Sequence, residues 1–245
     1  MEREPFDMSE LFIGNWNLFK EALGNPGTIF VYDMDGVLAD SPKIVLQNFT
    51  EKNGIKVNPA EIDEYAYLTK ILKQNGFSRK QIKHAEDDWF DPKVLHKAQR
   101  YLYIKPVVEK TIAAYGAKNN YVLTVRDPDF TDSSLDWLTH QFPKFLPENL
   151  MIRTNKKMDG TYFKVGCLTI LAQTAPWVVY IDDSTDFTKA AVMAGIENCI
   201  AVNVPIGKTM PDFRHERLII IKRYPNELQA MYPFMYAVDR ALENI

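Results

Sequence analysis

Thr28-Ile29-Phe30-Val31-Tyr32-Asp33-Met34-Asp35-Gly36-Val37 is the stretch whose reading decides how this chain folds. Its first five residues are an almost continuous apolar run, the pattern of a strand buried on both faces within a parallel sheet. The run ends in an acid, and open parallel sheets bind their ligands at the carboxyl ends of the strands. Asp33 and Asp35 stand at i and i+2 of an extended segment, so their carboxylates point the same way and converge on one small space. Gly36 lets the backbone turn sharply out of the sheet. Two such acids repel unless a cation or a shared proton relieves them; the plain alternative is a pair of solvated acids opening a loop. A calcium loop of the EF-hand kind is excluded. It needs glycine at its sixth position and glutamate at its twelfth, whereas here glycine is fourth and Ile44 twelfth.

Outward from this stretch the same strand form recurs at residues 121–125, 177–181 and 199–202, with a weaker version at 150–153, and 217–221 reads as a further strand. Helical patterns separate the strands at 106–115, 161–173 and 187–194. The first has Pro106 in its opening turn and Gly116 at its end; the second carries Phe163, Cys167, Leu168 and Leu171 on one side. Strand and helix in alternation predict an α/β fold, a doubly wound (Rossmann-like) parallel sheet with right-handed crossovers. Residues 41–104 break that rhythm. They hold no strand but several helix starts: Asn58-Pro59-Ala60-Glu61, the capping box Ser78-Arg79-Lys80-Gln81, and Asp91-Pro92. The expected organisation is an N-terminal extension over 1–27, a core made of 28–40 and 105–245, and an inserted helical cap over 41–104. Within the extension, Phe12, Trp16, Phe19 and Leu23 fall at helical spacing before the break at Asn25-Pro26-Gly27. A closing helix over 226–243, interrupted at Pro233, carries Leu228, Met231, Phe234, Met235 and Val238 for the core or for a homodimer contact.

Composition narrows the function class. Of 245 residues, 46% are hydrophobic and 25% charged, and the net charge is −3. That balance belongs to a globular protein with a sizeable core and supplies no global pull toward nucleic acid or anionic membrane. No apolar run approaches the ~18 residues that cross a bilayer. Cys167 and Cys199 are the only cysteines, too few for a disulfide framework and without zinc-ligand spacing. Met1-Glu2-Arg3-Glu4-Pro5 lacks the basic-then-apolar pattern of a secretion signal, so the expected location is the cytoplasm.

The other strand ends repeat the chemistry of the first. Asp182-Asp183-Ser184-Thr185-Asp186 sets three acids within five residues after an apolar run. A hard divalent cation accounts for them, and Mg²⁺ suits a site of few protein ligands plus a phosphate. Taken alone, the segment also reads as a helix N-cap. Thr124 offers a hydroxyl to a phosphate oxygen, and Arg126, two residues on, a fork of donors. Lys164, in the helix feeding the third strand, can reach the same crevice; Lys156 and Lys157 compete with it.

Asp33-Met34-Asp35-Gly36-Val37, Thr124, Lys164 and Asp182-Asp183…Asp186, in that order, resemble the four motifs of the haloacid dehalogenase (HAD) superfamily of phosphatases, over about residues 28–205. The resemblance implies an aspartyl-phosphate mechanism. Asp33 attacks phosphorus; Asp35 protonates the leaving oxygen and then activates water; Thr124 and Lys164 bind the phosphate. Mg²⁺ is held by Asp33, the backbone carbonyl of Asp35 and the fourth motif. Where the family often has glycine then an acid, this chain has Asp182 then Asp183, which makes Asp183 the expected direct ligand, with Asp182 and Asp186 assisting through water or by orienting Lys164.

The substrate is less legible. The run from Asp33 to Asp40, the paired acids and the modest cap are similar to 5′(3′)-deoxyribonucleotidases, which implies a nucleotide, with Gly36, Val125 and Arg126 on its phosphate side and Trp89 and Phe90 as stacking faces. Thr124-Val125-Arg126 is also similar to polynucleotide 3′-phosphatases, and Lys70, Lys73, Arg79, Lys80 and Lys83 could track a nucleic-acid backbone, although the acidic net charge argues against a polynucleotide. A sugar-phosphate phosphatase or phosphomutase, and a catalytically silent binder of a phosphorylated ligand, complete the alternatives.

Overall fold

The computed structural model describes residues 12–58, 61, 62, 67–87, 91–102, 104–206, 211–222, 236, 238 and 239. Trp89, Phe90, Pro233 and most of the expected closing helix lie outside the described residues, as does part of the Asn58–Glu61 cap.

The described residues contain seven strands in one sheet: β1 (Phe12–Ile13), β2 (Ile29–Tyr32), β3 (Asn120–Thr124), β4 (Leu150–Ile152), β5 (Val178–Asp182), β6 (Cys199–Asn203) and β7 (Leu218–Ile221). Their spatial order is β1-β7-β6-β5-β2-β3-β4. Every pairing is parallel except β1 with β7, which is antiparallel. Phe12 therefore corrects the helical spacing read from the sequence: it opens an edge strand, facing Ile221, and helix α1 spans only Trp16–Leu23, capped by Asn15, whose side chain accepts from the backbone N–H of Leu18 at 3.2 Å.

The apolar runs are explained by burial on both faces. Alternate residues of each strand, such as Phe30 and Tyr32 against Ile29 and Val31, join two different hydrophobic clusters. On one face the cluster is completed by α1, α6 (Ile104–Tyr115) and α7 (Thr131–Gln141); on the other by α8 (Gly160–Ala172) and α9 (Thr185–Met193). Helix α7, largely polar, was not evident in the sequence.

Between β2 and α6 the chain forms α2 (Ser41–Asn53), α3 (Tyr67–Gln74), α4 (Arg79–Asp87) and α5 (Pro92–Lys97). The capping box is present, the Ser78 backbone N–H donating to Gln81 Oε1 at 3.1 Å. A third apolar cluster, including Val45, Phe49, Leu68, Leu72 and Val94, lies among these helices. The two chain crossings at the foot of the insert pair with each other: the Asp40 N–H donates to the Gln99 carbonyl at 2.8 Å and the Tyr101 N–H to that of Leu38 at 3.1 Å.

This topology fixes the place of a ligand. From β2 the chain runs outward to β3 and β4, then returns to lay β5 on the opposite side of β2. The β2/β5 boundary is thus a topological switch point, where crossovers leave in opposite directions and open a crevice beyond the strand ends. Asp33 follows β2, and Asp182 and Asp183 stand at the end of β5.

Candidate active site

The register of β2 and β5 pairs Tyr32 with Ile181, so the next residues of each strand enter the crevice side by side. Asp33, Asp182 and Asp183 each present a carboxylate oxygen within 4.8 Å of the others. The loop after β5 is pinned from behind: the Val204 N–H donates to the Asp182 carbonyl at 2.9 Å, and Asn203 Nδ2 to that of Asp183 at 3.3 Å.

Lys164 enters from the first turn and a half of α8, whose start is capped by Asp159, accepting from the Tyr162 N–H. Its Nζ donates to Asp33 Oδ1 at 2.8 Å and to Asp182 Oδ2 at 2.6 Å, and lies 4.3 Å from the Phe187 ring centroid. Lysine at 1% exposure and Asp182 at 0% are tolerable only because each compensates the other. Asp182 is further occupied by the Tyr180 hydroxyl and by the Ser184 N–H at 2.7 Å. Burial works against the charge on Lys164, but Asp182 and Asp33 outweigh it and hold the ammonium above the ordinary lysine value. Lys156, by contrast, is exposed and pairs with Asp127 and Asp129; Lys157 is exposed too.

One cation among three acids leaves negative charge uncompensated. Burial pushes Asp33 up to about 7, Lys164 opposing and Asp182 and Asp35 adding to the rise. Burial also lifts Asp183 well above the usual carboxylate range, Asp182 and Asp33 contributing further. Enclosed oxygen anions in excess of the nearby positive charge are a donor set fitted to a hard divalent cation. Asp33 and Asp183 are the two whose oxygens are not already shared among several donors. Asp183 packs directly on Gly36: at that glycine, with φ +82°, an added Cβ would stand 2.6 Å from Asp183 Cγ. Asp186 is exposed in the first turn of α9.

The second acid of the opening motif is placed differently. Asp35 accepts two hydrogen bonds from one edge of the Arg126 guanidinium, Nε to Oδ2 at 2.7 Å and Nη2 to Oδ1 at 2.5 Å, and a third from Ser41 Oγ at 2.5 Å. The Arg126 fork, read from the sequence as facing a phosphate, turns its Nε/Nη2 edge to Asp35 here, and Nη1 is buried without a partner. Thr124 is buried at the end of β3, and its hydroxyl oxygen accepts from the Arg126 N–H at 3.4 Å. The Val125 side chain lies against Gly160 at the start of α8. Lys73, Arg79, Lys80 and Lys83 are exposed and Lys70 half-buried.

Several site neighbours were missed from the sequence. Ser41, Tyr180 and Phe187 carry no motif of their own. Tyr101 and Asp40, at the paired crossings, bury their oxygens beside each other and interact. Burial raises the Tyr101 phenol well above its ordinary value, with Asp40, Asp183 and Asp35 adding to the shift, so it stays a donor on the rim of the acidic crevice.

No protein-family model and no curated protein sequence matches the chain. Solved structures do. A haloacid dehalogenase-like family hydrolase from Streptococcus pneumoniae superposes with a TM-score of 0.51 at 16% identity, over 77% of this chain and 93% of that one. A HAD family hydrolase from Deinococcus radiodurans with bound phosphate and sodium gives 0.48 at 14%, over 77% and 85%. A HAD-superfamily hydrolase of subfamily IA from Geobacter sulfurreducens gives 0.47 at 17%, over 79% and 94%. The Streptococcus pneumoniae protein is not described as a nucleotidase, so the nucleotidase likeness read from the sequence gains no support from it. The Streptococcus pneumoniae match, on top of the strand order, shows that this chain has the haloacid dehalogenase-like fold.

Proposed function

We propose that the chain is a Mg²⁺-dependent phosphomonoester hydrolase that works through an aspartyl-phosphate on Asp33. The observation that carries this reading is the Lys164 ammonium held between Asp33 and Asp182, with the Asp183 carboxylate alongside. A buried nucleophile, a fixed cation and spare oxygen ligands at a switch point are the parts that phosphoryl transfer needs.

An Asp33 oxygen attacks phosphorus in line while Asp35 gives its proton to the departing oxygen, which leaves as an alcohol. Water then attacks the phosphoenzyme, its proton passes to the Asp35 carboxylate, and the Asp33–phosphorus bond breaks to release inorganic phosphate. Lys164 and Thr124 hold the phosphate oxygens, and Asp182 and Tyr180 hold Lys164. Asp33 and Asp183, with the Asp35 carbonyl, would bind Mg²⁺, which when bound supplies the positive charge the acids lack. Residues 41–104 act as a cap over a core of 28–40 and 105–245.

The substrate is a small phosphate ester. A nucleoside monophosphate is the reading drawn from the sequence. A sugar phosphate is the second reading, favoured by the polar pair Tyr101 and Asp40 beside the acidic crevice, which suits a ligand rich in hydroxyls. Purified protein assayed on p-nitrophenyl phosphate, with and without Mg²⁺, tests the activity, and nucleoside monophosphates, sugar phosphates and a 3′-phosphorylated oligonucleotide test the class. Hydrolysis should be abolished in Asp33→Asn; ordinary turnover in that variant ends the proposal, and no hydrolysis in wild type leaves the silent binder.

A further inference from the structure

Resting on that reading of Asp33 and Asp35, we infer that Arg126 is a positioning residue for the water-activating step and not a ligand of the phosphate. The sequence offers Arg126 as a phosphate fork, but the structure spends its two-nitrogen edge on Asp35, at 2.7 and 2.5 Å. The pair is far from an incidental surface contact. Arg126 is 1% exposed while the Asp35 side chain is 27% exposed; a buried guanidinium thus clamps a carboxylate that keeps some access to solvent.

The clamp has a direction. Ser41 Oγ donates to the same Oδ1 that takes Arg126 Nη2, so Asp35 accepts three hydrogen bonds and both of its oxygens are held in place. The second half-reaction depends on that placement: once Asp33 carries phosphorus, Asp35 must take a proton from the attacking water as the Asp33–phosphorus bond breaks. A base acts only within hydrogen-bond reach of the proton it removes, and a planar two-point clamp fixes both the position and the plane of the carboxylate. Arg126 also lies two residues beyond Thr124, to whose hydroxyl oxygen its backbone N–H points, which ties the clamp to the strand end that frames the phosphate.

The test separates the two half-reactions with p-nitrophenyl phosphate, whose leaving group departs without a proton. Arg126→Gln should give a burst of p-nitrophenol followed by slow turnover, with kcat lower by on the order of 10-fold or more. kcat/KM should be nearly unchanged, and phosphoenzyme should be recovered after acid quench. Asp35→Asn should behave alike, and the double variant should hydrolyse its phosphoenzyme no more slowly than Asp35→Asn alone. Arg126→Lys, which keeps the charge without the two-point geometry, and Ser41→Ala, which leaves the buried arginine in place, should show the same pattern in milder form. They serve if Arg126→Gln does not fold. A phosphate ligand would behave otherwise: kcat/KM falls, inhibition by inorganic phosphate weakens, no burst appears, and the effects add to those of Asp35→Asn. Those results, or wild-type kinetics in Arg126→Lys and Ser41→Ala, overturn the inference. Absence of phosphoenzyme in every variant, Asp35→Asn included, instead overturns the underlying covalent mechanism.

Discussion

Gly36→Ala should separate the stability of this protein from its activity. The residue has φ +82°, a conformation that costs an L-residue roughly 1–2 kcal/mol. A Cβ there would stand 2.6 Å from Asp183 Cγ and closer still to Oδ2, well inside ordinary contact distance. What it meets is the end of a side chain, so relief comes cheaply by swinging the Asp183 carboxylate aside, a displacement of about 1 Å. The fold then loses only the backbone penalty, which for a chain of this size lowers Tm by about 2–8 °C. The site loses more, because moving a reacting or ligating group by about 1 Å can cost on the order of 100-fold in rate. Gly54→Ala is the matched control: its φ is +68°, and an added Cβ would meet nothing within 4 Å. The assay is thermal unfolding of both variants beside p-nitrophenyl phosphate turnover across a Mg²⁺ titration. Both should lose similar stability, while only Gly36→Ala should lose turnover and need far more Mg²⁺. Wild-type turnover and Mg²⁺ dependence in Gly36→Ala would refute the placing of Asp183 as a ligand.

Lys164→Met leaves the Asp33 and Asp182 carboxylates buried without their cation, and breaking such a pair costs about 3–5 kcal/mol. A shift in urea midpoint equivalent to less than about 1 kcal/mol would contradict the buried bridge. For pH, an aspartate whose ordinary value is 3.8 is pushed up to about 7 at Asp33. Between those values the folded chain keeps a proton that the unfolded chain has released, so metal-free stability falls as pH rises through that window. Mg²⁺ competes with that proton, and its effect on Tm should therefore be larger above about pH 7 than below about pH 5; an equal gain at both would argue against binding at this site.

What the sequence determined by itself is local and periodic. Six apolar runs, the one at 150–153 the weakest, announced the parallel strands because burial on both faces demands apolar residues at nearly every position. Acids directly after two of them marked the ligand end of the sheet, and the Ser78-x-x-Gln81 box marked a helix start. Where the signal was short or polar it failed: α7 buries only Ser134, Trp137 and Leu138, and Phe12 matches a helical spacing yet pairs with β7, an edge that could not be seen from residues near Phe12. The partners in the site were beyond local reading for the same reason. Lys164 meets Asp33 across 131 residues and Arg126 meets Asp35 across 91. Both lysine and arginine are long, and each had rival targets within the same crevice. Only the packing of α8 against β5, and the way β3 lies beside β2, decided that Lys164 bridges the nucleophile and Asp182 while Arg126 turns its edge to Asp35.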